Sequence, residues 1–220
     1  MKAFIIFRDR VTYGLACAEA MRAACLQPVI VDQGSTWPAA LAWLAQLEDG
    51  GTEVLYRGSG HPRHLWEWPP FNDSRGTSRY VVTDPDVIPS HRCPLDWPQR
   101  LLALLDEYPG AAKAGLGLRI DNLPERYSRR RQVIDWEQQF WIDELEPGVY
   151  RAPVDTTLAV YRERSRFELD GLRTGDPYVA DHLAWHESLE APTAEQAYYY
   201  QHAERGITHW AARGVSAWGD

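Results

Sequence analysis

YVVTDPDV, at residues 80–87, decides how the rest of the chain is read. Tyr80, Val81 and Val82 form the continuous apolar run expected of a strand buried on both faces. Pro85 has no N–H for a sheet ladder, so the strand must stop there and leave Asp84 and Asp86 at its carboxyl end. In open α/β sheets that edge is where ligands bind. Two carboxylates at i and i+2 around a proline can share one hard divalent cation, Mg²⁺ or Mn²⁺, with substrate phosphate oxygens completing the shell. The bland alternative is a solvated turn; the strand in front of the motif favours the ligand reading.

Upstream, the pattern repeats strand and helix. Ala3–Phe7 is an apolar run, Thr12–Leu26 has helical spacing, and Pro28–Val31 is a second buried strand ending in Asp32-Gln33-Gly34-Ser35-Thr36. Trp37–Leu47 resumes the helical period until Asp49-Gly50-Gly51 breaks it, and Glu53–Tyr56 is a third strand. This βαβαβ order predicts a parallel sheet with right-handed crossovers. The strand ends then converge: Arg8 after the first, Asp32 after the second, Arg57 and Gly60 after the third, Asp84 and Asp86 after the next. Such a cleft would hold a carboxylate for a base N–H, guanidiniums for phosphate and a metal pair. That set suits a nucleoside diphosphate with a cation.

Downstream, His61–Ser78 is rich in Pro, Trp and Gly without a period; it is long for a structureless loop, which usually signals a functional flap or a mobile segment. Pro98–Tyr108 is a helix, Ala112–Ile120 a strand, Arg129–Ile142 a helix, Val149–Tyr161 one long strand, and Ala194–Glu204 a last helix. On the Arg129–Ile142 helix, Glu137 falls inside an apolar arc made by Val133, Ile134, Trp136, Phe140 and Trp141, while Asp135 points away. A carboxylate so placed is either paired and structural or a base with a raised pKa. The basic run Arg126–Arg131 (RYSRRR) opens that helix, where positive charge opposes the dipole; it reads as a solvated helix start, a grip for diphosphate or a seat for an anionic acceptor.

The bulk numbers exclude some classes. The 220 residues form most simply one domain, with a nucleotide-binding half over 1–120 and an acceptor and catalytic half over 121–220. Thirty-one acids against 23 Lys+Arg give a net charge of −8, which opposes broad electrostatic binding to nucleic acid. Ten tryptophans and eleven tyrosines exceed what a core of this size needs, and such rings also build platforms for sugars and bases. Cys17 and Cys25 lie roughly 12 Å apart along a helix, too far to bridge. With no spanning apolar run and no signal peptide, a soluble, cytoplasmic protein with reduced thiols is expected.

VDQGST at 31–36 followed by YVVTDPDV resembles the GT-A glycosyltransferases, especially the family-two type, over about the first 120 residues. The resemblance implies a Rossmann-like, mostly parallel central sheet flanked by helices, with a small C-terminal addition. It implies that Asp32 contacts the nucleobase, with Gln33 where the family has asparagine, and that Asp84 and Asp86 are the D-x-D pair holding Mn²⁺ or Mg²⁺. The QxxRW signature of processive members is absent, so a single addition is expected. The family's third metal ligand is often a C-terminal histidine; of His182, His186, His202 and His209, His182 is preferred because it follows a Gly-Asp-Pro turn. Trp185 behind it would cover the donor sugar or pack in the core. Asp155, on the strand flanking the acceptor, is the first choice for the base that deprotonates an acceptor hydroxyl; a solvent-facing aspartate, or one that orients the sugar in a retaining enzyme, is the alternative.

The function implied is metal-dependent transfer of one sugar from a nucleotide-sugar, a UDP-sugar by preference, to a hydroxyl of a glycan or small molecule. Hydroxymethylated bases in viral DNA are the second acceptor class. A catalytically inactive sugar-nucleotide-binding protein and a sugar-1-phosphate nucleotidyltransferase are the other readings. The last normally has a glycine-rich basic loop after its first strand, where this chain has FRDRVTYG.

Overall fold

A computed structural model describes residues 1–188 and 190–202. Its centre is strand β1 (Lys2–Phe7), flanked in parallel by β2 (Gln27–Asp32) and β4 (Tyr80–Thr83). Ala3, Ile5 and Phe7 face one apolar layer and Phe4 and Ile6 the other. Burial on both faces explains the unbroken apolar run in the sequence. Helices α1 (Val11–Ala23) and α2 (Pro38–Asp49) cross over between the strands, and β3 (Val54–Tyr56) extends the sheet beyond β2. Gly14 lets α1 lie directly on the sheet: a Cβ there would meet the Phe7 and Trp43 rings at 2.8 Å.

The other half of the sheet is mixed. The full order is β3-β2-β1-β4-β9-β6-β10-β8-β7, with β5 (Val87–Pro89) paired to β10. Strand β9 (Ala159–Tyr161) enters antiparallel between β4 and β6 (Lys113–Leu118). Helix α4 (Trp97–Glu107) precedes β6, with Trp97, Leu101, Leu104 and Leu105 buried at helical spacing. Strands β7 (Glu144–Glu146) and β8 (Val149–Arg151) form a hairpin at the edge. Strand β10 (Leu172–His182) runs parallel to β6, with a register shift between Thr174 and Val179. The sheet is thus α/β and flanked by helices, as expected, with its parallel character concentrated around β1.

Four expectations are corrected. His61–Ser78 is not structureless: Pro62–Glu67 forms a 3₁₀ turn and Pro69–Arg75 helix α3. Each starts at a proline, whose fixed φ suits a first helical turn, and Leu65, Trp66 and Phe71 close the second apolar layer against Phe4 and Tyr80. Val149–Tyr161 is not one strand but β8 and β9, separated by a loop over Ala152–Leu158 in which Pro153 has no N–H to pair. The Arg129–Ile142 helix is α5 (Arg130–Glu137), tightening into a 3₁₀ turn over Gln138–Trp141. The Gly175-Asp176-Pro177 segment is no free turn; it is the irregular middle of β10, a strand the sequence reading missed. The last helix, α6, spans Ala194–His202. Among the described residues no helix is long and apolar enough to cross a membrane.

Candidate active site

A cleft of about 280 Å³ opens at the carboxyl ends of β1 and β4. Of the residues singled out from the sequence, Arg8, Gly60, Asp84, Asp86, Glu137, Asp155, His182 and Trp185 line it, and Asp32 and Arg57 do not. Residues 95 positions apart are brought together because β5 pairs antiparallel with β10, setting Val87 opposite His182. Leu183 N donates to Asp86 O at 2.7 Å and locks that junction.

Asp84 leaves β4 with its Oδ2 accepting from Thr156 Oγ1 at 2.9 Å. Burial, reinforced by the charges of Asp86 and Asp155, pushes its carboxyl up to about 8. A carboxylate so held lacks a counter-charge, which a bound cation would supply. Asp86 Oδ2 lies 3.7 Å from Arg10 Nη1 and 3.9 Å from His182 Nδ1. Burial pushes the His182 imidazole down, against the pull of Asp86, so the ring is held neutral. Its Nδ1 is buried without a hydrogen-bond partner among the described residues, and the ring stacks on Trp185 with centroids 4.5 Å apart. The His182 imidazole and the Asp86 carboxylate beside it, with Asp84 in the same cleft, are groups that could ligate Mn²⁺ or Mg²⁺. Among the described residues no three His, Cys, Asp or Glu side chains are gathered tightly enough to hold a metal alone. A cation bound here would have to take part of its shell from a ligand's oxygens. Of the other histidines, neither His186 nor His202 lines the cleft, and His209 lies outside the described residues.

The wall beside Asp86 holds residues not singled out before. Arg10 is 5% exposed, ion-paired to Glu187 and stacked on the Tyr13 and Tyr199 rings at 4.3 and 4.7 Å. Tyr13 and Tyr200 donate to the same Glu187 carboxylate. Glu195 accepts from the Thr12 backbone N–H at the start of α1, at 3.1 Å, and so ties α6 to α1. Arg8 donates to His202 O at 3.1 Å. The spacing of Arg8 and Arg10 after β1 was the available signal for this wall; Glu187 had none.

Asp32 does not face the cleft. Its carboxylate accepts from Gly34 N at 3.2 Å, Ser35 N at 3.1 Å and Ser35 Oγ at 2.5 Å, a closed turn of its own loop. Short polar side chains after a strand favour this self-capping, which competes with ligand contact. Arg57 stands behind the wall, donating to Gln33 Oε1 and His61 O, each at 3.1 Å. Asp9, also missed, accepts from the Thr36 and Trp37 N–H groups at 2.7 and 2.8 Å and fixes the start of α2.

In the other half of the cleft, Asp155 sits in the 152–158 loop and not on a strand. Its Oδ2 pairs with Arg63 Nη2 at 2.8 Å, both side chains about one-third exposed. Beneath it the fully buried Lys113 donates to Asp155 O and Tyr161 Oη, each at 3.1 Å. Burial pushes the Lys113 ammonium down to about 7, opposed by Asp155. Glu137 is 3% exposed and accepts from Arg173 Nη1 at 2.8 Å. Burial pushes its carboxyl up and Arg173 pulls it back down. The Arg173 guanidinium also donates to Pro153 O at 2.8 Å and caps the Phe140 ring at 4.1 Å. The pair thus props the loop that carries Asp155. Tyr127, Trp136 and Phe140 wall this end. Tyr127 is the one residue of RYSRRR in the cleft; the four arginines of the run do not line it.

No family model and no curated protein matches the sequence. Solved structures do. TarS from S. aureus superposes with a TM-score of 0.50 at 10% identity, over 82% of this chain and 36% of that one. TarS 1-349 in complex with UDP-GlcNAc gives 0.48 at 11%, over 90% of this chain and 63% of that one. Mannosyltransferase PcManGT from Pyrobaculum calidifontis, in complex with GDP-Man and Mn²⁺, gives 0.43 at 13%, over 73% of this chain and 44% of that one. The chain thus spans between 36% and 63% of the length of these structures. The fold is that of the GT-A-type glycosyltransferases.

Proposed function

We propose that the chain is a glycosyltransferase that moves one sugar from a nucleotide-sugar, a UDP-sugar by resemblance, to an acceptor hydroxyl, with Mn²⁺ or Mg²⁺ held by Asp84, Asp86 and His182. The observation that carries the reading is the partnerless Nδ1 of a neutral His182 facing Asp86 at 3.9 Å, at the carboxyl end of β4. When bound, the cation acts as a Lewis acid toward the departing diphosphate. Arg8 and Arg10 add positive charge along the same wall, where phosphate oxygens accept charge-assisted hydrogen bonds.

Asp155 takes the proton from the acceptor hydroxyl, or orients the sugar if the configuration is retained. It shares the cleft with the aspartate pair: its neighbour Thr156 donates to Asp84, and its own charge helps push the Asp84 carboxyl up. Its partner Arg63 is partly exposed, so an incoming hydroxyl can share or displace the contact. Glu137, neutralised by Arg173, supports the loop and does not reach for a proton. The Tyr127, Trp136 and Phe140 wall suits a sugar ring, which stacks on aromatic faces. A nucleic-acid acceptor loses its main support, because the arginines of RYSRRR stand outside the cleft.

The test is thermal stabilisation by UDP, GDP, CMP and dTDP, each with and without Mn²⁺. A shift with one nucleotide, dependent on Mn²⁺ and abolished by Asp84→Ala, is the expected result. No shift with any of the four would overturn the reading. Donor hydrolysis or transfer that Asp155→Ala abolishes separates an enzyme from an inactive binder with the same donor site.

A further inference from the structure

Gln33 directly follows β2 at its carboxyl end, 5% exposed and on the cleft wall. Its Oε1 lies 3.1 Å from Arg57 Nη1. A guanidinium has only donors, so the amide must turn its oxygen toward Arg57. That leaves Nε2 as a fixed donor, and it is buried without a partner among the described residues. An unmet buried donor is unfavourable, and a ligand's acceptor would satisfy it.

The carboxylates nearby cannot play the matching part. Asp32 is spent on Gly34 and Ser35, and neither Asp32 nor Asp9 lines the cleft. The turn that holds Asp32 runs through Gly34 at φ +78°, a conformation that glycine adopts at little cost. This end of the cleft therefore offers a donor where a carboxylate was expected.

Its place in the sheet says what it meets. The order β2-β1-β4 separates Gln33 from Asp84 by two strand spacings, about 10 Å. A nucleoside whose diphosphate lies at Asp84 and Asp86 puts its base at the far end of that span. We propose that Gln33, in place of Asp32, reads the nucleobase. Its Nε2 donates to the 4-oxo group of a pyrimidine or the 6-oxo group of a purine, selecting these over the 4-amino and 6-amino bases, which present a donor at that position. The inference rests on the donor site proposed above.

Calorimetric titration of UDP, CDP, GDP and ADP, each with saturating Mn²⁺, tests it on the wild type, Gln33→Met and Gln33→Glu. The wild type is expected to bind its preferred oxo nucleotide about 10–100-fold tighter than the amino counterpart, UDP over CDP or GDP over ADP. Gln33→Met should shrink that ratio to within about threefold while keeping Mn²⁺-dependent binding. Gln33→Glu, with one oxygen on Arg57 and the other an acceptor, should move the preference toward CDP or ADP. An unchanged ratio in both variants, or a wild-type preference for CDP or ADP, overturns the Gln33 assignment alone. Absence of binding by the wild type to all four overturns it together with the donor site.

Discussion

The two ends of the cleft are built from different kinds of chain. At the donor end, consecutive parallel strands hand over their last residues at one edge, so Arg8, Gln33 and Asp84 are set by backbone register. At the acceptor end, Asp155 and Thr156 sit in a loop whose position is set by side chains reaching in from elsewhere. Thr156 holds Asp84, Lys113 holds Asp155 O, Arg63 holds the Asp155 carboxylate and Arg173 holds Pro153 O. Ladder geometry tolerates the loss of a single side chain; a loop held by a few polar ties does not. Substitutions at the donor end should therefore change chemistry and spare stability, and those at the acceptor end should mix the two.

The sharpest separation is expected from Asp86→Ala. Transfer should fall by at least about 10³-fold as metal assistance is lost, while the melting temperature without ligand stays within a few degrees; a large drop in that temperature would break the contrast. Arg173→Met should show the opposite pattern. It strands the buried Glu137 carboxylate at a cost of about 3–5 kcal/mol in denaturant unfolding. Because burial already pushes Glu137 up, the stranded group takes a proton at low pH, so the loss should be smaller at pH 5 than at pH 8. Asp155→Asn should cost about 10²-fold or more in kcat with little change in KM for the donor, and up to about 1 kcal/mol in stability as its partly exposed pair with Arg63 weakens. Equal losses in both constants would move Asp155 from proton transfer to binding.

Lys113 gives a subtler sign. Its ammonium is held at about 7 against an ordinary 10.5, so between those values the unfolded chain binds more protons. The Lys113 contribution to stability should rise with pH across that window, by an amount on the order of 2–4 kcal/mol, against the opposite slope from Asp84 and Cys93. Lys113→Met should remove that rise; an unchanged slope would assign it to other groups. The smallest effect is expected for the double substitution of Arg126→Ala and Arg131→Ala, within about 0.5 kcal/mol in stability and with unchanged transfer. A marked loss of transfer would return the basic run to the acceptor site.

Legibility followed the same division. The donor strands could be read because β1, β2 and β4 are buried on both faces and announce themselves as apolar runs stopped by polar or proline residues. Asp84, Asp86 and His182 were singled out, and pairing between β5 and β10 brings them to one corner. Strand β10 was missed because Gly175, Asp176 and Pro177 imitate a turn in what is an irregular strand. Asp32 was expected to face a base; nothing in VDQGST reveals that Ser35 would claim its carboxylate first. Arg63 and Glu187 act across 92 and 177 residues, contacts that no local pattern encodes.

Glu187 bears on the order in which the molecule is finished. It fixes Arg10 and Tyr13 from beyond the last strand, and Tyr200 on α6 completes its shell. A chain growing from its N terminus has every strand of the sheet in hand before the residues that brace Arg10 emerge. The motifs that come first in synthesis thus belong to a pocket completed among the last, and a nascent chain stopped after β10 would carry the aspartate pair beside an unbraced cationic wall.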